Sequence, residues 1–277
     1  MIFCILVTYN PNFQQLQQTI SSILPQVDKI VVVNNSLTTL DLRDTKIHII
    51  ELGKNQGIAY AQNRGIEYAH SNGANYVLFS DQDTVYPNDF VEKSLDCFNK
   101  HKQEKIAAVV PLFYNENKNQ FAQVCITKTR AVNPEIGKEY SLAHTISSGT
   151  FCPISIFDTI GLMNERLFID WVDTEWCWRA TNNGYEIICD TTNIIHHSMG
   201  DNYKIVFGKK IVVYSDFRNY YFFRNGTYLL FHSKLLTLKE WCGFLKFMIL
   251  KSISYFTMNK NLKLYLKAVY NGLCNTF

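Results

Sequence analysis

Two carboxylates stand two residues apart in Asp81-Gln82-Asp83, directly after the run Tyr76 to Ser80. At the end of a buried strand both can turn toward one point. Hard cations such as magnesium take oxygen ligands, often one or two carboxylates completed by substrate phosphates. Read alone, the same trio also suits a solvated turn, where Asp is common. A second acidic group, Asp170, Asp173 and Glu175, stands among Trp171 and Trp176. Aromatic neighbours exclude water, which tunes a carboxylate for proton abstraction, and their faces make platforms for sugars. Asp173 also falls where a helix should begin, so a capping role is the plainer alternative. His196-His197 precede Ser198-Met199-Gly200-Asp201. Histidine there suits a metal shell, a phosphate contact or a purely structural place. Arg218, Tyr221, Arg224 and Asn225 share one helical side. The planar arginine fork suits a diphosphate, and snorkelling from a core helix is the alternative.

A sheet with helices on it must bring these groups together. Ile2 to Val7 is an unbroken β-prone run, the pattern of a strand buried on both faces of a parallel sheet. Pro11 opens a helix whose Leu16, Ile20, Ile23 and Leu24 form one face. Lys29 to Val33 predicts a second strand, ending at Asn34-Asn35-Ser36, and Lys46 to Leu52 a third. A helix from Gly57 carries Ile58, Ala61, Gly65 and Ala69 on one face, and Tyr76 to Ser80 predicts a fourth strand. This alternation argues for an α/β fold with a largely parallel sheet. Ligands collect at the carboxyl ends of such strands. Three polar clusters fall there: Thr8 to Asn10, Asn34 to Ser36 and Asp81 to Asp83. Further on, Ile106 to Phe113 and Gln123 to Thr127 read as strands, and Asn115 to Asn119 as a loop. Ser147-Ser148-Gly149-Thr150 reads as a turn, Asp173 to Asn183 as a short helix, and the chain from 215 onward as helical.

The totals bound the class. A chain of 277 residues with 47% hydrophobic residues fills one main domain, expected over residues 1–232, with a helical extension over 233–277. A net charge of +3 does not mark a nucleic-acid binder. The eight cysteines form no C-x-x-C pair, which argues against a zinc knuckle or redox motif and for reduced cytosolic thiols. Met1 to Val7 is too short and lacks the basic start of a secretory leader. No stretch reaches the ~18–20 apolar residues of a spanning helix. A cytoplasmic protein is therefore expected. In the segment 235–277, Lys239, Lys246, Lys251, Lys260, Lys263 and Lys267 alternate with Trp241, Phe244, Phe247, Ile249, Ile253 and Phe256. That composition suits an anionic membrane surface, and equally a helical pair that covers the main domain.

Several motifs follow one another in order. They are Val7-Thr8-Tyr9-Asn10-Pro11, Val32-Val33-Asn34-Asn35-Ser36, Asn55-Gln56-Gly57-Ile58-Ala59 with Asn63-Arg64-Gly65, and Asp81-Gln82-Asp83. Then come Ser147-Ser148-Gly149, Phe168 to Trp176, His197 to Asp201 and Arg218 to Asn225. Together, over residues 1 to about 230, they resemble glycosyltransferase family 2, inverting enzymes of the GT-A fold, and within it the bacterial rhamnosyltransferase branch. The resemblance implies a mostly parallel central sheet flanked by helices. It implies that Thr8, Tyr9, Asn10, Asn34, Asn35, Asn55, Gly57, Asn63, Asp81 and Gln82, with Arg218 and Arg224, bind a nucleotide sugar. Asp81, Asp83 and His197 would hold Mg2+ or Mn2+. Asp173 would be the general base, and Ser148, Gly149, Trp171, Glu175 and Trp176 would meet the acceptor. Asn34 stands where the family usually carries aspartate, and Val172 where many members carry glutamate.

The implied reaction is an inverting sugar transfer from a nucleotide-diphosphate donor to a hydroxyl of a glycan or lipid-linked glycan. The favoured donor is dTDP-rhamnose, and a UDP-hexose is the alternative. The expected setting is cell-surface polysaccharide synthesis (O-antigen, capsule or lipopolysaccharide), on the cytoplasmic face of the inner membrane. A non-catalytic carbohydrate-binding or scaffold protein is the reading from another class, and it would not need Asp173 near the Asp81–Asp83 pair. The G-x-G-x-x-G of dinucleotide enzymes is absent after the first strand. So is the glycine-rich loop of sugar nucleotidyltransferases, since Thr8 to Phe13 has no glycine.

Overall fold

The N-terminal apolar run forms β1 (Ile2–Thr8), which is covered on both faces. The computed structural model describes residues 1–101, 103–116, 119–197, 203–206, 209–212, 215–258 and 261–277. Asn12 caps α1 (Phe13–Ile23), its side-chain oxygen accepting from the N–H groups of Gln14 and Gln15. The helix stops one residue short of Leu24, because Leu24–Gln26 tightens into a 3-10 turn around Pro25. Proline cannot continue the hydrogen-bond ladder. β2 (Lys29–Asn34), β3 (Ile47–Glu51), α2 (Ile58–Ser71) and β4 (Tyr76–Asp81) follow.

These four strands pair in the order β3-β2-β1-β4, all parallel. The register places Thr8 opposite Asn34, Asn34 opposite Glu51, and Val7 opposite Asp81. The polar ends of four strands thus form one row along a single edge of the sheet. Alternate residues of β1 serve opposite faces. Phe3, Ile5 and Val7 join a core with Ala59, Ala61, Ile66 and Ala69 of α2. Cys4 and Leu6 join another with Leu16, Ile20 and Ile23 of α1. The approach of α2 is close enough to require glycine at 65, where a Cβ would fall 2.3 Å from Cγ2 of Ile5.

The rest of the chain widens the sheet. In order come α3 (Phe90–Lys100), β5 (Ile106–Asn115), β6 (Gln120–Phe121), β7 (Val124–Thr127), β8 (Arg130–Val132), β9 (Glu139–Ser141), β10 (Phe151–Pro153), α4 (Ile156–Ile160) and α5 (Val172–Asn182). Then come β11 (Glu186–His197), β12 (Tyr203–Val206), β13 (Lys209–Val212), α6 (Asp216–Phe231), α7 (Leu238–Met258) and α8 (Leu262–Leu273). The sheet has nine strands and continues β4-β10-β5-β11-β9, with β6 on β5. β10 runs antiparallel between β4 and β5, β5 and β11 are parallel, and β9 is antiparallel at the far edge. A third apolar cluster joins Trp178 of α5 to Phe223, Leu229 and Leu230 of α6, Phe244 and Met248 of α7, and Ala268 of α8.

Candidate active site

The strand-end row opens onto a cleft of ≈ 690 Å³, within the usual size range of small-molecule sites. Its floor is made by Val7, Tyr9, Asn35, Asn55, Gly57, Asp81, Gln82 and Asp83, and the facing wall by Phe168, Ile169, Ser215, Phe217 and Arg218. Short polar links fix the floor. The Tyr9 N–H donates to Oε1 of Gln82 at 2.7 Å, and the N–H of Asn10, a residue with left-handed backbone, donates to Oγ of Ser36 at 2.8 Å. Oδ1 of Asn35 accepts from the N–H of Gln56 at 2.7 Å, and its amide donates to Oδ1 of Asn55 at 3.1 Å. Asn55 in turn accepts from the N–H of Gly57, which starts α2 at φ +87°.

Asp81 and Asp83 end the floor at β4. Among the described residues, neither carboxylate accepts a hydrogen bond. Burial and the neighbouring charge of Asp83 raise the Asp81 carboxyl to about 6, with Arg218 pulling the other way. Two neighbouring carboxylates that accept no hydrogen bond match the oxygen-rich ligand set that hard divalent cations take. Asp173 sits in the first turn of α5. Its carboxylate accepts from the N–H groups of Thr174 at 2.8 Å and Ser147 at 3.1 Å. Burial raises it to about 6 against those two bonds, and the charges of Asp170 and Asp81 add to the rise. Asp173 thus lies within the electrostatic field of Asp81, although about ninety residues separate them in the chain.

The loop that leads into α5 is strained. Phe168, Asp170 and Trp171 have φ of 65°, 61° and 68°, each a conformation costing on the order of 1 kcal/mol or more for a side-chain-bearing residue. The surrounding structure holds it in place. The Asn225 amide, fully buried in α6, reaches the carbonyls of Leu167, Ile169 and Asp170 at 2.8, 2.9 and 3.0 Å. The N–H of Ile58 donates to the Phe168 carbonyl at 2.7 Å, and Nε1 of Trp171 to the Phe222 carbonyl at 3.0 Å. Arg218, near the start of α6, pairs with Asp170 at 2.7 Å.

Several residues expected to touch ligand are turned elsewhere. Arg224 does not face the cleft. Its guanidinium donates to the carbonyls of Arg166 and Leu167 and stacks on Tyr221 and Phe277, so it braces the same loop as Asn225. Asn34 is buried and spends its amide on the Thr38 carbonyl and the Glu51 carboxylate, and its oxygen on Thr8 and Ser36. Thr8 is buried with it. Asn63 pins the backbone of Met163. Glu175 is buried against Arg179, and Nε1 of Trp176 donates to the Gly161 carbonyl inside the core. Ser148 is buried beneath the floor, bonded to Thr84 and the Asp81 N–H, and Gly149 is bonded to Phe79. Trp171 lines a separate cavity of ≈ 220 Å³ with Trp178, Phe244 and Phe247. The backbone of His197 closes β11, but its side chain, with residues 198–202 and 213–214, lies outside the described residues. The sequence reading missed Phe168, Ile169, Ser215 and Phe217 as cleft residues. Only Ser215 carried a signal, as a helix-capping serine before Asp216.

A family model described as Glycosyl transferase family 2 matches residues 3–158, which include Asp81 and Asp83 and end before α5. The chain is 35% identical over 241 residues to the dTDP-rhamnosyl transferase RfbF of Shigella flexneri, covering 83% of this chain and 79% of that protein. It is 31% identical over 96 residues to the low-salt glycan biosynthesis hexosyltransferase Agl10 of Haloferax volcanii, covering 33% of this chain and 31% of the relative. Among solved structures, S. aureus TarS 1-349 in complex with UDP-GlcNAc superposes with a TM-score of 0.63 at 14% identity, covering 98% of this chain and 81% of that one. GalNAc-T7 with UDP, GalNAc and Mn2+ superposes with a TM-score of 0.59 at 11% identity, covering 93% of this chain and 57% of the other. At such identities the likeness is one of fold.

Proposed function

The chain belongs to glycosyltransferase family 2, and from that membership we propose that it transfers rhamnose from dTDP-rhamnose to a glycan hydroxyl, inverting the anomeric carbon. The 35% identity to a dTDP-rhamnosyl transferase over most of both chains supports the choice of donor. The observation that carries the reaction is that two adjacent residues hold both acids: the Ser147 N–H donates to the Asp173 carboxylate, and Oγ of Ser148 accepts from the Asp81 N–H. In the proposed reaction the acceptor oxygen forms a bond to the sugar C1 as the bond from C1 to the phosphate oxygen breaks. Asp173 takes the acceptor proton, and the nucleoside diphosphate leaves with the bonding electrons. Mg2+ or Mn2+, when bound at Asp81 and Asp83, supplies positive charge for the leaving diphosphate.

The chain's own groups do the positioning. Tyr9, Asn35, Asn55 and Gly57 border the space for the nucleoside. Arg218 and the amide-rich start of α6, at Ser215, border the space for the diphosphate. In this reading residues 1–232 are the catalytic unit, and residues 233–277 buttress α6. The acceptor is a glycan, lipid-linked in surface polysaccharide synthesis, and the protein works at the cytoplasmic face of the inner membrane. No helix of the described residues is long and apolar enough to cross a membrane.

The test is a donor screen. Calorimetry and donor-hydrolysis assays with Mn2+ should give dTDP-rhamnose an affinity at least about tenfold above that of UDP-hexoses, a gap of about 1.4 kcal/mol. Preference for a UDP-hexose would move the donor assignment, and silence toward every nucleotide sugar would end the enzymatic reading.

A further inference from the structure

Among the described residues, three donor atoms of metal-binding type lie within 4.8 Å of one another at Cys97, His101 and Glu139. They are far from the cleft. α3 carries Cys97 in its last turn and His101 at its end, and Glu139 starts β9 at the outer edge of the sheet. We propose that these three side chains form a second metal site, one that takes Zn2+.

The geometry comes from two elements. Cys97 and His101 are four residues apart, so one helical face presents both. Across from them, Oε2 of Glu139 lies 2.9 Å from Nε2 of His101, and Oε1 lies 3.9 Å from the Cys97 sulfur. Ligands of a tetrahedral zinc stand roughly 3.3–3.8 Å apart, given bonds of ~2.0–2.3 Å, so small side-chain adjustments suffice. Nδ1 of His101 is held at 3.0 Å by Glu104. A carboxylate on the far ring nitrogen is the arrangement that orients a metal-bound imidazole.

A second observation points the same way. Glu139 pairs directly across the strands with Asp190, which is 8% exposed. Like charges facing each other across a sheet are unfavourable. Lys100 offsets them now at 2.9 Å, but its side chain is 64% exposed and can swing into water. Sulfur, imidazole and one carboxylate select a borderline metal over Mg2+ or Ca2+. Water completes the fourth position. The bound ion would staple α3 to β9, and β9 leads into the segment whose Ser147 and Ser148 hold Asp173 and Asp81.

The test uses the reduced full-length protein, stripped with chelator and titrated with Co2+ and then Zn2+. One equivalent of Co2+ should give a thiolate-to-cobalt charge-transfer band with tetrahedral d–d bands. One equivalent of Zn2+ should remove them, and excess Mg2+ should not. Asp83→Asn should leave the band intact, which separates this site from the cleft. Cys97→Ser should abolish the band, and His101→Gln should weaken Zn2+ binding at least about tenfold. Each variant is checked for folding by its circular dichroism. Wild-type protein without the band overturns the proposal. So does a band that survives Cys97→Ser, because the thiolate would then be another cysteine, such as the exposed Cys242 or Cys274.

Discussion

Asp173 has both carboxylate oxygens occupied by backbone N–H groups and is still pushed up to about 6. Desolvation therefore outweighs the two bonds, and the carboxylate is a stronger base than an exposed aspartate. The sign of the pH dependence follows. Below about pH 6 the group carries a proton and cannot accept another; above it the base is free. Initial rates should climb roughly tenfold per pH unit below 6 and level off above it. Asp173→Asn should cut turnover by ~10²–10⁴-fold while donor affinity, read by calorimetry, stays within about threefold. Unchanged turnover would remove Asp173 from the chemistry. The Asp81–Asp83 pair was legible in the sequence because a polar trio closing an apolar run marks a strand end. The role of Arg224 was not. A cation on a helix near such ends looks the same whether it meets phosphate or backbone carbonyls, and its carbonyl partners lie 57 and 58 residues away.

At the scale of elements, β1, β2 and β4 were readable because they are buried on both faces and therefore form apolar runs, and the half-buried edge strand β3 keeps three isoleucines. β9 and β10 have three residues each. Neighbouring edges recruit them, and so short a segment has no periodicity of its own to read. The strained loop before α5 was equally invisible, since Phe168 and Trp171 are rare residues at positive φ and Asp170 alone tolerates it. Its conformation depends on donors from α6. Asn225→Ala removes the amide that reaches three carbonyls, and leaving them short of donors in a buried place should cost about 2–4 kcal/mol. The melting temperature should fall by several degrees. Turnover should fall further than donor binding, because the floor at β1 and β4 does not use this amide. Equal losses in both would show that the loop also shapes the donor pocket.

For the whole molecule, the third apolar cluster ties α7 and α8 to α5 and α6, while their outer faces stay bare. Ile249, Leu250 and Ile253 on α7, and Leu262, Leu266 and Tyr270 on α8, are more than half exposed. Exposed Lys246 and Lys251, and Lys263 and Lys267, flank them. Apolar stripes edged with lysine match an anionic lipid surface. Vesicles rich in anionic phospholipid should float the wild-type chain at low salt, release part of it at high salt, and lose Ile253→Glu/Leu266→Glu. Wild-type protein that stays at the bottom of the gradient would discard peripheral attachment. The clamp on the strained loop also has a consequence in time. Translation delivers the strands β1 to β4 within the first 81 residues, whereas Asn225 is added nearly 150 residues later. The loop before α5 can therefore take its strained form only once α6 has been made, so this part of the molecule is among the last to be fixed.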